Sequence, residues 1–128
     1  MGMTNPVVAA ILRGEQLAIF VTGGAIWFAN GGPPLLLIPA WLAVDLSIVG
    51  YLAGPRVGSI TYNAAHNLVV PLALLGLGWW TATGWLILGA AALITHVGLD
   101  RALGYGLKLP TDFRDTHLGR IGQTKPIR

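Results

Sequence analysis

The chain has 128 residues, of which 54% are hydrophobic and 10% are charged, and its formal net charge is +3. A soluble domain carries about 25% charged residues, so this composition excludes an ordinary water-soluble monomer. The length indicates one domain, and the absence of cysteine excludes a disulfide framework and a thiolate metal site.

The first apolar stretch begins close to the N-terminus. Arg13 and Glu15 interrupt it, so we expect no cleavable signal peptide. Three more apolar stretches follow, separated by Gly–Pro clusters and by an aromatic-rich turn. Each is close to the roughly 20 residues that cross a bilayer as a helix. We expect the spans at residues 16–29 (extended by 7–12), 35–53, 60–77 and 86–103.

These spans must be helical, because a backbone exposed to lipid has to satisfy its own hydrogen bonds. Pro39 and Pro71 predict kinks in the second and third spans. Small residues let membrane helices approach closely, and we expect Gly23, Gly24, Gly76 and Gly89 to do so. The predicted fold class is all-α, an integral membrane four-helix bundle over residues 1–106 followed by a basic cytoplasmic tail at 107–128.

The basic residues predict how the bundle lies in the membrane. With four spans, all eight fall on the side of the N-terminus, the second loop and the C-terminus. The positive-inside rule then places both termini in the cytoplasm, with the chain as a multi-pass membrane protein. The charge therefore reflects topology, and we expect the lipid bilayer as partner and no nucleic acid. The basic residues are Arg13, Arg56, Arg101, Lys108, Arg114, Arg120, Lys125 and Arg128.

Six polar or ionisable side chains inside or beside the spans are the main indication of function. Charged side chains in hydrocarbon need partners, so a set of them within membrane spans indicates a functional site as a hypothesis. At 1.5 Å per residue, Asp45, His66 and His96 lie about 9–12 Å from the cytoplasmic ends of their spans. We therefore expect Asp45, His66, His96 and Asp100 to converge in one pocket of the cytoplasmic half. The six polar side chains are Glu15, Asp45, Asn63, His66, His96 and Asp100.

The first hypothesis for this group is a metal centre. Imidazole and carboxylate are ligands suited to zinc or manganese, and we expect His66, His96 and Asp100 to bind the ion. His96 and Asp100 are four residues apart and share one helix face. Metal-bound water attacks esters or phosphates, with Asp45 or Glu15 as the catalytic general base.

Three further side chains are candidates for substrate binding. Asn63 shares a helix face with His66, three residues away. Tyr62 and Tyr105 lie near the cytoplasmic interface, where tyrosine is commonly an anchor, and the alternative is that they cover the site.

Two other interpretations of the polar group stay open. Hydrogen bonds from His66 or His96 to Asp45 would form a structural network between helices. Chains of Asp and His also relay protons in transporters. Four helices make a small pathway, so proton passage would need a homo-oligomer.

Several motifs lie between the second span and the tail. They are Asp-Leu-Ser at 45–47, Gly-Tyr-Leu-Ala-Gly-Pro-Arg-Val-Gly at 50–58, Tyr-Asn with His at 62–66, His-Val-Gly-Leu-Asp-Arg at 96–101, Gly-Tyr-Gly-Leu-Lys at 104–108 and Thr-His-Leu-Gly at 116–119. Together they resemble a family of small bacterial four-helix membrane proteins of unknown function. The resemblance implies the fold and a multi-pass location in the bacterial inner membrane, and it brings no activity with it.

Four of these positions are also similar to membrane-bound metal-dependent hydrolases, which carry a Pro-Asp motif, a His-rich motif and a His-x-x-x-Asp helix followed by Tyr-Gly. Asp45, His66, His96 and Asp100 would occupy the matching positions, with Tyr105 after them. The chain departs from that pattern, since valine precedes Asp45, no acid follows it two residues later, and the middle motif has one histidine.

Two functions follow as hypotheses. The first is a metal-dependent hydrolase acting on a lipid or another amphiphile at the cytoplasmic interface. The second is a non-catalytic subunit that packs against a larger membrane complex.

Overall fold

The structure is a computed structural model that describes residues 5–122. Lys125 and Arg128, two of the basic residues that predict the orientation, and the end of the predicted tail lie outside the described residues. The described part forms five α-helices and one short hairpin. They are α1 (Pro6–Ala29), α2 (Leu37–Asp45), α3 (Pro55–Ala65), α4 (Val69–Trp80), α5 (Gly84–Leu103), β1 (Asp115–Thr116) and β2 (Gly119–Arg120).

These elements make four spans long and apolar enough to cross a bilayer. The spans are Pro6–Ala29, Pro34–Ala53, Pro55–Trp80 and Gly84–Leu103. Large apolar side chains cover the outer surface, as lipid requires; Leu35 is 80% exposed and Leu52 is 89% exposed. The prediction of an all-α, four-helix integral membrane protein is therefore confirmed, with the two-residue strands as a minor addition.

Helices α1 and α5 run antiparallel and pack through glycine. A methyl group at Gly23 would lie 2.9 Å from the side chains of Ile94 and Thr95, and one at Gly98 would lie 2.8 Å from the backbone nitrogen of Phe20. Residue 23 thus meets residues 94–95 while residue 20 meets residue 98. The start of α1 and the end of α5 therefore lie at the same end of the bundle.

The prediction for the other glycines is wrong. A methyl group at Gly24, Gly76 or Gly89 would meet nothing within 4 Å, so none of the three is at a close helix contact in the bundle. Each lies on a helix face that points away from its neighbours. Only Gly23 of the predicted set permits close packing.

The third span is broken where its sequence places proline. Helix α3 ends at Ala65 and α4 begins at Val69, so residues 66–68 separate them. Pro71 has no N–H for the carbonyl group of Asn67, and its ring disfavours helix in the preceding turn. The Asn67 carboxamide closes the gap by donating to the carbonyl oxygens of Asn63 and Ala64, both at 2.9 Å, and accepting from the N–H of Val70 at 2.9 Å.

The second span changes its helix type. It is α-helical through Asp45 and becomes a 3₁₀ helix from Leu46 to Ala53. Pro39 falls in the first turn of α2, where proline is tolerated, and the winding changes after Asp45. The hydroxyl of Thr61 on α3 donates to the carbonyl oxygen of Ser47 at 2.7 Å and ties this 3₁₀ segment to the third span.

The chain after α5 folds back onto the bundle. Gly104 adopts φ 99°, a left-handed conformation that ends the helix. Further along the chain, Lys108 forms a single antiparallel β-bridge with Thr116. Both Lys108 and Thr116 are 4% exposed. We call residues 107–122 the docked tail. The division of the chain at residue 106 stays a prediction, since the last six residues are outside the described part.

Candidate metal centre

Four side chains predicted to converge lie together in the bundle. Nε2 of His96 lies 3.2 Å from Oδ1 of Asp45 and 3.2 Å from Oδ2 of Asp100. Nε2 of His66 lies 3.3 Å from the same Asp45 oxygen and 3.8 Å from the same Asp100 oxygen. The two imidazoles and two carboxylates therefore face one another across three spans, and we call these four residues the acid–histidine cluster.

The local structure explains why these side chains reach each other. Asp45 ends α2, at the point where the span tightens into 3₁₀ helix. His66 occupies the break between α3 and α4, and so is free of the regular helical direction. His96 and Asp100 stand one turn apart on α5. The cluster lies about 10 Å into the bundle from the end at which α1 begins and α5 ends.

The charge of the cluster has no fixed counterion. Within residues 5–122, neither Asp45 nor Asp100 forms an ion pair with a lysine or an arginine. Both histidines are only 3% exposed. Two carboxylates inside a membrane span are costly unless positive charge lies between them. The arrangement therefore calls for a cation or for extra protons on the imidazoles.

The orientation of His66 limits where its protons can be. Its Nδ1 lies 2.9 Å from the carbonyl oxygen of Tyr62, which can only accept a hydrogen bond, so Nδ1 carries hydrogen. In the neutral imidazole Nε2 then presents a lone pair to the carboxylate of Asp45. Two acceptors at 3.3 Å repel each other unless a metal ion or a second proton lies between them.

The surroundings of His96 are less complete. Its ring packs beside Trp41 with centroids 5.1 Å apart, and the indole N–H of Trp41 donates to Oγ1 of Thr95 at 3.0 Å. These contacts hold α2 against α5. Nδ1 of His96 is buried and has no hydrogen-bond partner among the described residues.

The distances fit a single metal ion. One ligand atom each from Asp45, His66 and His96 lies within 4.8 Å of the other two. In a tetrahedron with bonds of about 2.0–2.2 Å, neighbouring ligand atoms are about 3.3–3.6 Å apart. The four separations between an imidazole nitrogen and a carboxylate oxygen, 3.2–3.8 Å, are close to that range. The predicted ligand Asp100 lies against both imidazoles, and the predicted base Asp45 belongs to the group able to hold an ion.

A second layer of side chains backs His66. The ring of Tyr62 stacks on it at 3.7 Å between centroids and 6° between planes. The ammonium group of Lys108 lies 4.9 Å from the Tyr62 ring centroid and 4.0 Å from that of Phe113. Burial lowers the pKa of Lys108, while the charge of Asp100 acts in the opposite direction. Tyr62 is 5% exposed, so its position is that of a packed support for His66.

Asn63 attaches the docked tail to this layer. Its Nδ2 donates to the carbonyl oxygen of Lys108 at 2.8 Å, and its Oδ1 accepts from the N–H of Lys108 at 2.6 Å. Both polar atoms of the predicted substrate ligand are thus engaged by the tail. His117 makes another link, because its Nδ1 accepts from the N–H of Leu107 at 2.8 Å. Burial and the nearby Arg101 charge lower the pKa of His117.

Two predicted residues are not brought to the cluster. Glu15 lies on the outer surface of α1 and makes no side-chain hydrogen bond or ion pair within the described chain. Tyr105 is 44% exposed beyond the end of α5. Glu15 as a base and Tyr105 as a substrate ligand receive no support from the geometry and stay predictions.

Sequence reasoning did not include Arg101 or Lys108 in the site. Arg101 directs a guanidinium N–H to the carbonyl oxygen of His66 at 3.4 Å. Arg101 follows Asp100 directly, so its position beside the cluster could have been predicted from the sequence. The contact of Lys108 with Tyr62 joins residues 46 positions apart, and no sequence pattern predicts it.

Comparison with known proteins gives a family and no activity. The family described as "Domain of unknown function (DUF4260)" matches residues 9–121, and the chain belongs to it. This agrees with the resemblance to small four-helix membrane proteins of unknown function. No curated protein and no solved structure shows a significant match to the chain.

Proposed function

We propose that this protein is a metal-dependent hydrolase of the bacterial inner membrane that acts on a lipid or another amphiphile. A zinc or manganese ion would be held by Asp45, His66 and His96, which form the group of suitable size. Asp100 lies against the same two imidazoles. Asp45 is the metal ligand and Asp100 the base in this proposal, which is the reverse of the roles predicted for the two aspartates from the sequence.

The observation that carries this proposal is the direction of the His66 ring. Its Nδ1–H is used by the carbonyl oxygen of Tyr62, so its Nε2 lone pair points at the carboxylates. A histidine that binds metal through one nitrogen typically donates the other N–H to a carbonyl or carboxylate oxygen, which fixes its tautomer. A purely structural network would keep that N–H and add a second proton on Nε2, which would donate to Asp45, so the protonation of Nε2 separates the two interpretations.

Different residues of the chain have different roles in the proposed reaction. A divalent cation held there would lower the pKa of a water molecule and so supply a nucleophile at neutral pH. Asp100, whose side chain is 24% exposed, is placed to accept a proton from the attacking water. The stacked ring of Tyr62 holds His66 in one orientation.

The position of the cluster supports an amphiphilic substrate. The side chain of Asp45 is 48% exposed on the surface of the bundle although it lies within a span. A charged group at that place tolerates a headgroup or water, but not hydrocarbon. A substrate with its chain in the bilayer and its polar group near the membrane surface fits this opening.

Metal analysis of detergent-purified protein, prepared without chelator, tests the proposal. We expect about one zinc or manganese ion per chain in the wild type and loss of that ion in His96→Ala. His117→Ala is the matched control, because it removes a histidine outside the acid–histidine cluster and should keep the ion. Helix content measured by circular dichroism establishes that both variants are folded.

Absence of metal from the wild type, with none gained on adding zinc or manganese, would contradict the hydrolase. The second hypothesis, a non-catalytic subunit of a larger membrane complex or a homo-oligomer, would then take its place. In that case His96→Ala should mainly lower thermal stability, and the protein should co-purify with a partner or a second copy.

A further inference from the structure

We infer that the substrate of this site carries a phosphate ester, whose negative charge is bound by Arg101. This inference rests on the proposed hydrolase and names the chemical class of its substrate. It follows from two basic side chains beside the acid–histidine cluster that have no acidic partner.

Arg101 has unused donors at the edge of the cluster. It follows Asp100 on the last turn of α5 and is only partly exposed. Its side-chain hydrogen bond within the described residues is the 3.4 Å contact to the carbonyl oxygen of His66. A guanidinium group has five N–H donors in a planar fork that matches two oxygens of a phosphate. Most of those donors are therefore free for a ligand.

Lys108 adds a buried positive charge on the same side. Its side chain is 4% exposed, and its ammonium group contacts aromatic rings in place of a carboxylate. No ion pair involves Arg101 or Lys108 within residues 5–122. The two cations lie at the end of the bundle where α1 begins and α5 ends, and because neither is paired with a carboxylate, Arg101 can bind an anion there.

The level of these groups in the membrane indicates which anion. Arg101 lies two residues before the end of the fourth span, about 3 Å from its limit along the helix axis. This is the depth at which phosphate groups of lipids meet a protein, and arginine binds phosphate through two parallel hydrogen bonds. A phosphate held by Arg101 would lie beside His66, whose carbonyl oxygen Arg101 contacts at 3.4 Å.

The reaction is a hydrolysis without redox change. A water oxygen forms a bond to phosphorus, the bond from phosphorus to the alcohol oxygen breaks, and the departing alcohol takes up one proton. Asp100 accepts the proton that the attacking water loses. The products are an alcohol and a phosphate with one ester bond fewer, and no further reactant is needed.

Steady-state kinetics of metal-loaded protein test the inference. The substrates are dioctanoyl phosphatidic acid in micelles, p-nitrophenyl phosphate and, as a neutral ester, p-nitrophenyl butyrate. We expect hydrolysis of a phosphate ester and competitive inhibition by inorganic phosphate. In Arg101→Gln the KM for that substrate should rise about tenfold or more, as the loss of charge-assisted hydrogen bonds implies. Arg114→Gln, an exposed arginine of the docked tail, is the matched control and should match the wild type.

The results separate two sources of the same chemistry. Turnover of phosphatidic acid alone identifies a lipid headgroup, and turnover of p-nitrophenyl phosphate as well identifies phosphate esters in general. Hydrolysis of the neutral ester with no inhibition by phosphate, or an equal effect of Arg101→Gln on neutral and phosphate substrates, would overturn the inference while leaving the hydrolase standing. A protein that binds no metal would end both.

Discussion

Replacing Asn63 with alanine should release the docked tail while leaving the four spans folded. The Asn63 carboxamide makes two hydrogen bonds to the backbone of Lys108, at 2.8 Å and 2.6 Å. A net contribution of about 0.5–1.5 kcal/mol for each bond gives about 1–3 kcal/mol, or about 5- to 150-fold in the ratio of docked to released tail. The released backbone is hydrated, so no larger penalty is expected.

Limited trypsin digestion in detergent measures this ratio, because Lys108 is buried when the tail is docked. If opening is fast relative to cleavage, the rate of cutting after Lys108 follows the open population. Asn30→Ala is the control, since Asn30 bonds only its own helix, at the carbonyl oxygen of Ile26. Equal cutting after Lys108 in wild type and Asn63→Ala would refute the assignment of Asn63 as the anchor of the tail.

Three further predictions follow from the structure. Gly98→Ala should destabilise the bundle by about 1–3 kcal/mol through the clash with α1, whereas Gly89→Ala, which meets nothing, should be neutral or stabilising by up to about 1 kcal/mol; thermal unfolding in detergent compares them. Because the pKa of His117 is lowered on docking, the docking free energy should be complete above about pH 6.5 and fall as the pH drops from there toward the lowered pKa; amide exchange at Leu107 should show this, and His117→Gln should abolish it. A periplasm-active reporter fused after Arg128 should give no signal if both termini are cytoplasmic, and a strong signal would reverse the orientation.

The convergence of the acid–histidine cluster could be anticipated because depth in a membrane is a one-dimensional quantity. Counting residues from the span ends places Asp45, His66 and His96 at one level, and the structure has their polar atoms within 4.8 Å. The count does not give the face of the helix. Glu15 shares the depth but lies on the outer surface, while Gln16, rotated by about 100°, is partly buried.

The packing role of each glycine also depends on the helix face that it occupies. Gly23 and Gly24 are adjacent, yet only Gly23 meets α5. Which of two neighbours faces another helix depends on packing between distant segments, for which the sequence has no periodic signal when the whole span is apolar. The hydrogen bond between Asn63 and Lys108 could not be predicted from the sequence either, since it joins positions 45 residues apart. It depends on a turn after α5 that composition does not specify.

The state of the His66 imidazole is the most direct test of the proposed metal centre. The measurement is the ¹⁵N spectrum of histidine-labelled protein in detergent, with zinc and after chelation, with His66 assigned by comparison with His66→Gln. We predict that with zinc Nδ1 carries hydrogen and Nε2 does not, and that Nε2 moves to the shift of a metal-bound nitrogen. A His66 ring that is protonated on both nitrogens and unchanged by zinc would contradict a metal centre and leave a proton-bridged structural network.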